Sequence, residues 1–448
     1  MKKILQIFKP APFIPEIQDD GKVKELYQYW RIRILYSTFI GYALYYFTRK
    51  SFTFAMPGLI ENLGFDKSQL GMLGSIFAVT YGVSKFASGI LSDQCNSRYF
   101  MAAGLILTGI FNICFGFSST MTLFAIFWGL NGWFQGFGWP PCARFLTHWY
   151  SHSERGAWWS TWNISHNVGA FLIPWIVGVA IQYADWRFAM YVPGLICIAG
   201  GLFLVNRLRD TPQSMGLPPI EKFRNDYGGM PAGVNEEEQP STKEILVEYI
   251  FKNPYIWLLA FSYFFVYIVR TGINDWTALF LREEKGYSLM GANGCVSLFE
   301  VGGVAGSLCA GWASDKLFGA RRGPVNVIFA FAMAFAIAFF WFVPQGFPLL
   351  DSIAMFCVGF AIFGPQMLIG ISASELSDKK AAATANGFVG WIAYIGAASA
   401  GYPIGLLIDS NGWSGAFLFL IACAFLLVLL LLPMLLIDRK KQPAPVVS

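Results

Sequence analysis

Tyr42-Ala-Leu-Tyr-Tyr46-Phe-Thr-Arg49 lies in a long apolar stretch, and Tyr263-Phe-Phe-Val-Tyr267-Ile-Val-Arg270 repeats its pattern roughly half a chain later. At about 100° per residue, offsets of 4 and 7 fall about 40° to one side and about 20° to the other of the first residue, so each Tyr-Tyr-Arg trio shares one helix face. Arginine inside a membrane helix costs at least ~3 kcal/mol, and one kept there is a functional residue by default. Two such arginines on matched faces describe a basic clamp for a doubly charged anion.

Composition supports the membrane setting. The 448 residues are 55% hydrophobic and 13% charged, against about 25% charged in soluble domains. The net charge of +5 is small, and the basic residues sit mostly in loops, which speaks for topology and against a nucleic-acid partner. The eight cysteines show no paired spacing. Cys114, Cys197, Cys309, Cys357 and Cys423 fall in apolar runs, where a free thiol acts as a small hydrophobe. Neither disulfide, metal nor cofactor is expected. No nucleotide-binding fingerprint or nucleophile–base–acid series is present, so neither ATP-driven transport nor an enzyme is expected.

Twelve segments are long and apolar enough to span a bilayer, which takes about 20 residues. They predict an all-α membrane protein of twelve transmembrane helices in two pseudo-symmetric six-helix bundles, 32–206 and 254–437. Residues 1–31 read as an N-terminal tail, 207–253 as a polar linker with Pro212, Pro218, Pro219, Pro231 and Glu236-Glu237-Glu238, and 438–448 as a C-terminal tail. One set of short loops carries Arg98, Arg155, Lys316, Arg321, Arg322, Lys379 and Lys380. The other carries Lys67, Arg187, Arg282 and Lys285. The first set, both tails and the linker are therefore expected on the cytoplasmic side. The first 33 residues are too charged for a signal peptide.

The halves read as a parallel repeat. Arg49 and Arg270 are 221 residues apart, and Gly89-Ile-Leu-Ser-Asp93 matches Gly311-Trp-Ala-Ser-Asp315 at an offset of 222. Counted from Arg33 and Lys252, both arginines lie about 24–27 Å along helices of about 42–45 Å, just past the middle and level with each other. Such repeats build transporters with a midplane site.

Arg49 and Arg270 offer planar forks that match phosphate oxygens bidentately. Tyr42, Tyr46, Tyr263 and Tyr267 can donate hydroxyls or simply pack. Lys50 follows Arg49, and Asp275 lies five residues past Arg270. Together they suit an outer gate, or two snorkelling side chains. Lys85 and Glu300 are intramembrane charges, which face a cavity or pair. His166, in Trp162-Asn163-Ile-Ser-His166, is of the residue type whose reference pKa is nearest phosphate's second pKa, which suits a phosphate contact, or it packs in a core. Gln135 and Trp139 sit in Gly132-Trp-Phe-Gln135-Gly-Phe-Gly-Trp139-Pro-Pro, a stretch built to bend. Asp93 and Arg98, with Asp315, mark the short loops and suit inner-gate contacts.

These words together are familiar. Gly41 to Lys50, Gln135 to Pro141, Trp162 to Asn167, and Asp210-Thr-Pro-Gln-Ser-Met-Gly-Leu-Pro-Pro-Ile-Glu221 resemble the organophosphate:phosphate antiporters of the major facilitator superfamily. The resemblance runs from the first helix to the twelfth. It implies a central phosphate site with Arg49 and Arg270 as its arginines, and Tyr46, Tyr267, Lys85, His166 and Glu300 around them. Tyr42, Tyr263, Gln135, Trp139 and Asn163 are further expected pocket residues. Gln94 departs from the superfamily's loop motif, which often has a basic residue there.

The resemblance implies exchange of an organic phosphate ester for inorganic phosphate by alternating access, in a bacterial inner membrane, with a monomer as working unit. Ser51-Phe-Thr-Phe-Ala-Met-Pro and Ser88-Gly-Ile-Leu-Ser-Asp-Gln lean toward a hexose phosphate such as glucose 6-phosphate. The alternatives are glycerol 3-phosphate exchange and a transporter-like sugar-phosphate sensor. A membrane phosphatase is a weaker third.

Overall fold

Asp19 starts the first helix. Its Oδ1 accepts from Gly21 N and Lys22 N at 2.9 and 3.1 Å, satisfying amides that a helix start leaves open. The helix, α1, runs from Asp20 to Leu63. At 44 residues it extends about 66 Å, about twice the hydrocarbon thickness. It therefore begins a dozen residues ahead of the apolar run and stands out of the membrane.

The computed structural model describes residues 8–183, 185–226, 247, 250–319, 321–377 and 382–436. Lys379, Lys380, Glu236 to Glu238 and the C-terminal tail 438–448 lie outside them. After α1 come α2 (Lys67–Gln94), α3 (Ser97–Gly116), α4 (Met121–Gln135), α5 (Trp139–Trp149), α6 (His152–Tyr183), α7 (Phe188–Arg207) and the short α8 (Ile220–Arg224). The second half holds α9 (Pro254–Glu283), α10 (Leu289–Lys316), α11 (Arg322–Phe342), α12 (Pro348–Leu376), α13 (Ala382–Ser399) and α14 (Tyr402–Leu431).

Nine apolar segments among the described residues meet the length and composition for a span. Three features raise the crossings to twelve. α1 carries Arg49 and Lys50, which lower its apolarity. α4 and α5 are one crossing broken at Gly136-Phe-Gly138. The apolar run Thr384–Leu436 has 53 residues, about 80 Å as helix, and turns at Gly412, whose φ is 67°.

By its contacts the chain divides into two compact units, Met1–Gly58 with Thr80–Glu237, and Leu59–Val79 with Glu238–Ser448. In each, a glycine lets one helix touch the helix bearing the Tyr-Tyr-Arg trio. A Cβ on Gly169 of α6 would lie 2.3 Å from Ala43 O, and one on Gly396 of α13 would lie 2.2 Å from Phe264 O. Both approaches fall on the turn before the second tyrosine of the trio.

The stretch 208–226 is folded onto the first unit. Asp210 is 2% exposed. It accepts from Ala11 N at 3.1 Å and Ser97 N at 3.0 Å, and pairs with Arg144 at 3.7 Å. Arg144 in turn donates to Ser92 O and Cys95 O, at 2.7 and 2.6 Å. Tyr27 OH donates to Pro218 O, and its ring stacks on Phe223 at 4.2 Å. Asp210 thus joins the N-terminal segment, the start of α3 and the stretch after α7.

Asp210→Ala leaves Arg144 and two amides without their buried acceptor and is expected to destabilise the unit by about 3 kcal/mol. In a thermal ramp in detergent, the buried thiols of Cys142 and Cys197 should react with a thiol dye at lower temperature than in the parent protein. An unchanged midpoint would disprove the role of Asp210.

Candidate functional site

The break between α4 and α5 places the first unit's polar centre. Gly136 has no room for a side chain, since a Cβ would lie 2.3 Å from Ser84 Oγ. Two serines of α2 take up carbonyls freed by the break: Ser84 Oγ donates to Trp133 O, and Ser88 Oγ to Gly136 O at 2.6 Å. Gln135, the last residue of α4, is left fully buried and turned toward α1. Its Nε2 donates to Tyr45 O, Thr48 Oγ1 and Asn131 Oδ1 at 3.1, 3.0 and 3.3 Å. With the amide orientation so fixed, Oε1 accepts from Arg49 Nε at 3.2 Å.

Behind Gln135 the chain of amides continues. Asn131 Nδ2 donates to Thr48 O and Asn112 Oδ1, both at 3.2 Å. Ser51 Oγ donates to the same Asn112 oxygen at 3.0 Å, and Asn112 Nδ2 donates to Met190 O at 2.7 Å. Such a network holds its members in one arrangement, because a buried polar group left unmet is costly.

On its other side Arg49 meets aromatic rings. Its guanidinium carbon lies 4.3 Å from the Tyr46 ring centre and 4.6 Å from that of Tyr81, and Nη2 donates to Tyr81 OH at 3.2 Å. Tyr46 faces His166 at 5.8 Å, and Tyr42 faces Trp162 at 4.9 Å. Trp162, Trp159 and Trp139 follow at 6.0 Å spacing, and Lys85 Nζ lies 5.4 Å from the Trp139 ring. Arg49, Tyr42, Tyr46, Lys85, Trp139 and His166 therefore line one continuous aromatic and cationic surface. His166 Nδ1 donates to the carbonyl of Asn163, which puts a proton on Nδ1 and leaves Nε2 for other partners. The Asn163 side chain is exposed.

The second unit repeats the theme in other chemistry. The Arg270 guanidinium lies 5.7 Å from the Tyr267 ring centre and 5.1 Å from that of Phe363. Tyr263 and Tyr267 meet at 4.9 Å, and Tyr267 meets Tyr394 at 5.4 Å. Phe363 precedes Gly364 on α12 as Gln135 precedes Gly136 in the first half. An arginine that an amide holds in one unit is thus stacked by a phenyl ring in the other. Glu300 is 3% exposed and accepts from Asn274 Nδ2 at 3.1 Å, one turn beyond Arg270.

The expected gate residues are placed as follows. Lys50 and Asp275 are half-buried on α1 and α9. The side chain of Asp93 lies outside the described residues. Arg98 donates to Val205 O at 2.6 Å. Asp315 pairs with Arg322 at 2.5 Å, and Arg322 also pairs with Glu375 at 3.0 Å. Tyr81 and Tyr394 were not expected as site residues. Tyr81 was within reach of pattern reading, one turn ahead of Lys85 on the same helix face; Tyr394 has no counterpart in the repeat to flag it.

A further polar grip lies inside the second unit. Asp409 accepts from Lys67 N at 3.3 Å and Ser68 N at 2.8 Å, capping the start of α2. Lys67 Nζ pairs with Glu283 at 3.2 Å, Arg282 with Glu61 at 3.0 Å, and Tyr402 N donates to Ser75 Oγ at 2.9 Å. The backbones nearly touch: a Cβ on Gly71 would lie 2.5 Å from Gly401 O.

Residues 38–401 match the Major Facilitator Superfamily. The chain is 57% identical over 437 residues to the "Probable hexose phosphate transport protein" of Chlamydia trachomatis, covering 96% of each chain. It is 47% identical over 432 residues to "Membrane sensor protein UhpC" of Escherichia coli K12, covering 96% of this chain and 98% of the relative. Its fold matches a bacterial homologue of the human lysosomal transporter Spinster with a TM-score of 0.76 at 16% identity, over 93% of this chain and 99% of that one. The chain is an integral membrane protein of the Major Facilitator Superfamily, a transporter and not an enzyme, and within that superfamily it belongs to the organophosphate:phosphate antiporter family.

Proposed function

We propose that this protein exchanges a hexose phosphate for inorganic phosphate across the bacterial inner membrane, by rocker-switch alternating access, as a monomer with both termini cytoplasmic. One observation carries this: each compact unit holds an arginine over the second tyrosine of its trio, at 4.3 Å for Arg49 and 5.7 Å for Arg270. Arg49 and Arg270 bind the phosphate, with Tyr46, Tyr267, Lys85 and His166 adding donors. Glu300, Tyr42, Tyr263, Trp139 and Asn163 shape the rest of the pocket. Gln135 acts through Arg49, as a positioning residue. Lys50 with Asp275, and the loop residues Asp93, Arg98 and Asp315, serve as gates.

Charge gives the reason for exchange. An empty site holds like charges in a medium of low dielectric, where repulsion and desolvation oppose closure. A phosphate ester of charge near −2 neutralises them. The loaded carrier then switches readily and the empty one does not.

In proteoliposomes preloaded with phosphate, uptake of labelled phosphate should be inhibited most strongly by glucose 6-phosphate, less by glycerol 3-phosphate and least by phosphoenolpyruvate. Arg49→Lys keeps the charge but loses the fork, and should cut exchange at least tenfold; normal exchange by this variant would refute the clamp. The relative named as a membrane sensor supports a second reading, in which the chain binds sugar phosphate and signals. A sensor would bind glucose 6-phosphate yet show negligible counterflow.

Gln135→Leu should raise the apparent KM for phosphate about tenfold, the effect of ~1.4 kcal/mol from one lost charge-assisted contact. Gln135→Glu should do more harm, because a carboxylate beside Arg49 competes with the substrate. Equal kinetics in all three proteins would rule out positioning by Gln135.

In the same scheme the Asp409 cap on α2 must release when the carrier opens outward. Asp409→Ala should therefore speed labelling of Ser75→Cys by an impermeant maleimide several-fold from the outer face. Labelling at the parent rate would separate this contact from gating.

A further inference from the structure

Four arginines gather where α7 ends, and the proposed transport chemistry uses none of them as a phosphate ligand. Arg33 of α1 donates through Nε to Arg207 O and through Nη2 to Asn206 O, both at 3.2 Å. Arg98 reaches Val205 O from α3 at 2.6 Å. Arg209 donates through Nη1 to Leu208 O at 2.7 Å and Asn206 O at 3.1 Å. Arg207, the last residue of α7, lies over Phe203 at 5.8 Å.

Capping the helix end is the simplest explanation, since carbonyls there attract cations. It does not account for the number of charges. A helix C-terminus carries about half a negative charge, and three guanidiniums meet its carbonyls while that of Arg207 lies over Phe203. Among the described residues no carboxylate lies within ion-pair distance of any of the four. The acid next in sequence, Asp210, is turned to Arg144, Ala11 and Ser97. Burial, then the charges of Arg98 and Arg33, hold the Arg209 pKa below its ordinary value. The cluster is an uncompensated cation site, and all four members are half-exposed.

Its surroundings say what kind of anion fits. Arg33 and Arg209 each lie 4.9 Å from the Trp30 ring, and Arg98 lies 4.9 Å from Tyr99. Tyr29 is 51% exposed beside them, as aromatic residues are at a membrane interface. Directly along the helices, toward the apolar region, Tyr36, Ile40 and Leu202 are 36%, 41% and 61% exposed. A phosphate held by the arginines would have its attached chains along these apolar side chains. Basic pockets between helix ends on the cytoplasmic side take anionic lipid headgroups.

We propose that Arg33, Arg98, Arg207 and Arg209 form a binding site for an anionic phospholipid, and that a headgroup with two phosphates, as in cardiolipin, fits it best. A free phosphate shares the headgroup chemistry but not the acyl chains, so the two are separable.

The test uses the full chain in dodecyl maltoside, with thermal unfolding followed during titration by cardiolipin, phosphatidylcholine of the same chains, or inorganic phosphate. Cardiolipin should raise the unfolding temperature of the parent protein, and Arg33→Gln/Arg209→Gln should need roughly thirtyfold more lipid for the same rise. Phosphatidylcholine should give no rise in either. An equal cardiolipin response in parent and variant overturns the proposal. So does a shift by inorganic phosphate that disappears in the variant, which would make this a free-anion site. Should the variant fail to fold, a photoactivatable cardiolipin on the parent protein decides: crosslinks at 29–36, 98–99 and 203–209 support the site, and crosslinks only elsewhere overturn it.

Discussion

An arginine inside an apolar bundle needs company that fixes its direction without cancelling its charge. A carboxylate would fix it and neutralise it. An amide oxygen fixes it and leaves the charge for a ligand. Gln135 gives Arg49 its direction, with Oε1 accepting from Nε at 3.2 Å, and much of the first unit is arranged so that Gln135 can. Its amide hydrogens must be met, which calls on Tyr45 O, Thr48 and Asn131. Asn131 in turn needs Asn112, and Asn112 needs a carbonyl of α7. The helix must break just after Gln135, and the carbonyls so freed are met by Ser84 and Ser88. Glycine at 136 lets α2 come close enough to do so. One orientation at Arg49 thus depends on residues from α1, α2, α3, α4 and α7.

The second unit reaches a comparable end with a different force. Phe363, like Gln135, precedes a glycine, and the Arg270 guanidinium lies over its ring. Stacking constrains the plane of the guanidinium and leaves its edge, where the N–H donors lie, to other partners. The backbone solution is shared even where the side-chain solution is not. Gly169 and Gly396 bring α6 and α13 onto the same turn of α1 and α9, within 2.3 and 2.2 Å of where a Cβ would sit. The close helix approach is common to both units, while the contact behind each arginine differs.

That divergence explains what the sequence reveals and what it hides. The trios are legible because spacing on a helix face follows from pitch alone. The spans are legible because apolar length follows from bilayer thickness. Gln135 is legible only as a polar residue in a bend; that it lies behind Arg49 depends on the break at Gly136, which no periodicity encodes. Phe363 is hidden among many phenylalanines. The stretch 208–226 reads as linker because prolines and charges dominate it, yet Asp210 and Tyr27 bind it to the first unit through single long-range contacts. Arg98 reads as a gate residue by its loop position, while its contact with Val205 O ties it to the end of α7.

The partition of contacts follows a different line from the sequence repeat. By sequence the halves meet in the polar stretch after α7. By contact, residues 59–79 belong with the second half. The cause is a handful of polar groups at helix ends: Asp409 on two amides of α2, Glu283 on Lys67, Glu61 on Arg282. Each lies near solvent, where such pairs are worth little one at a time. Beneath them lies the backbone contact of Gly71 with Gly401, which buries no side chain and so leaves no cavity if it parts. A covalent boundary is permanent, but a boundary made of weak caps over a glycine seam can be redrawn. Residues 59–79 are the part of the first half held to the second by the contacts least expensive to break.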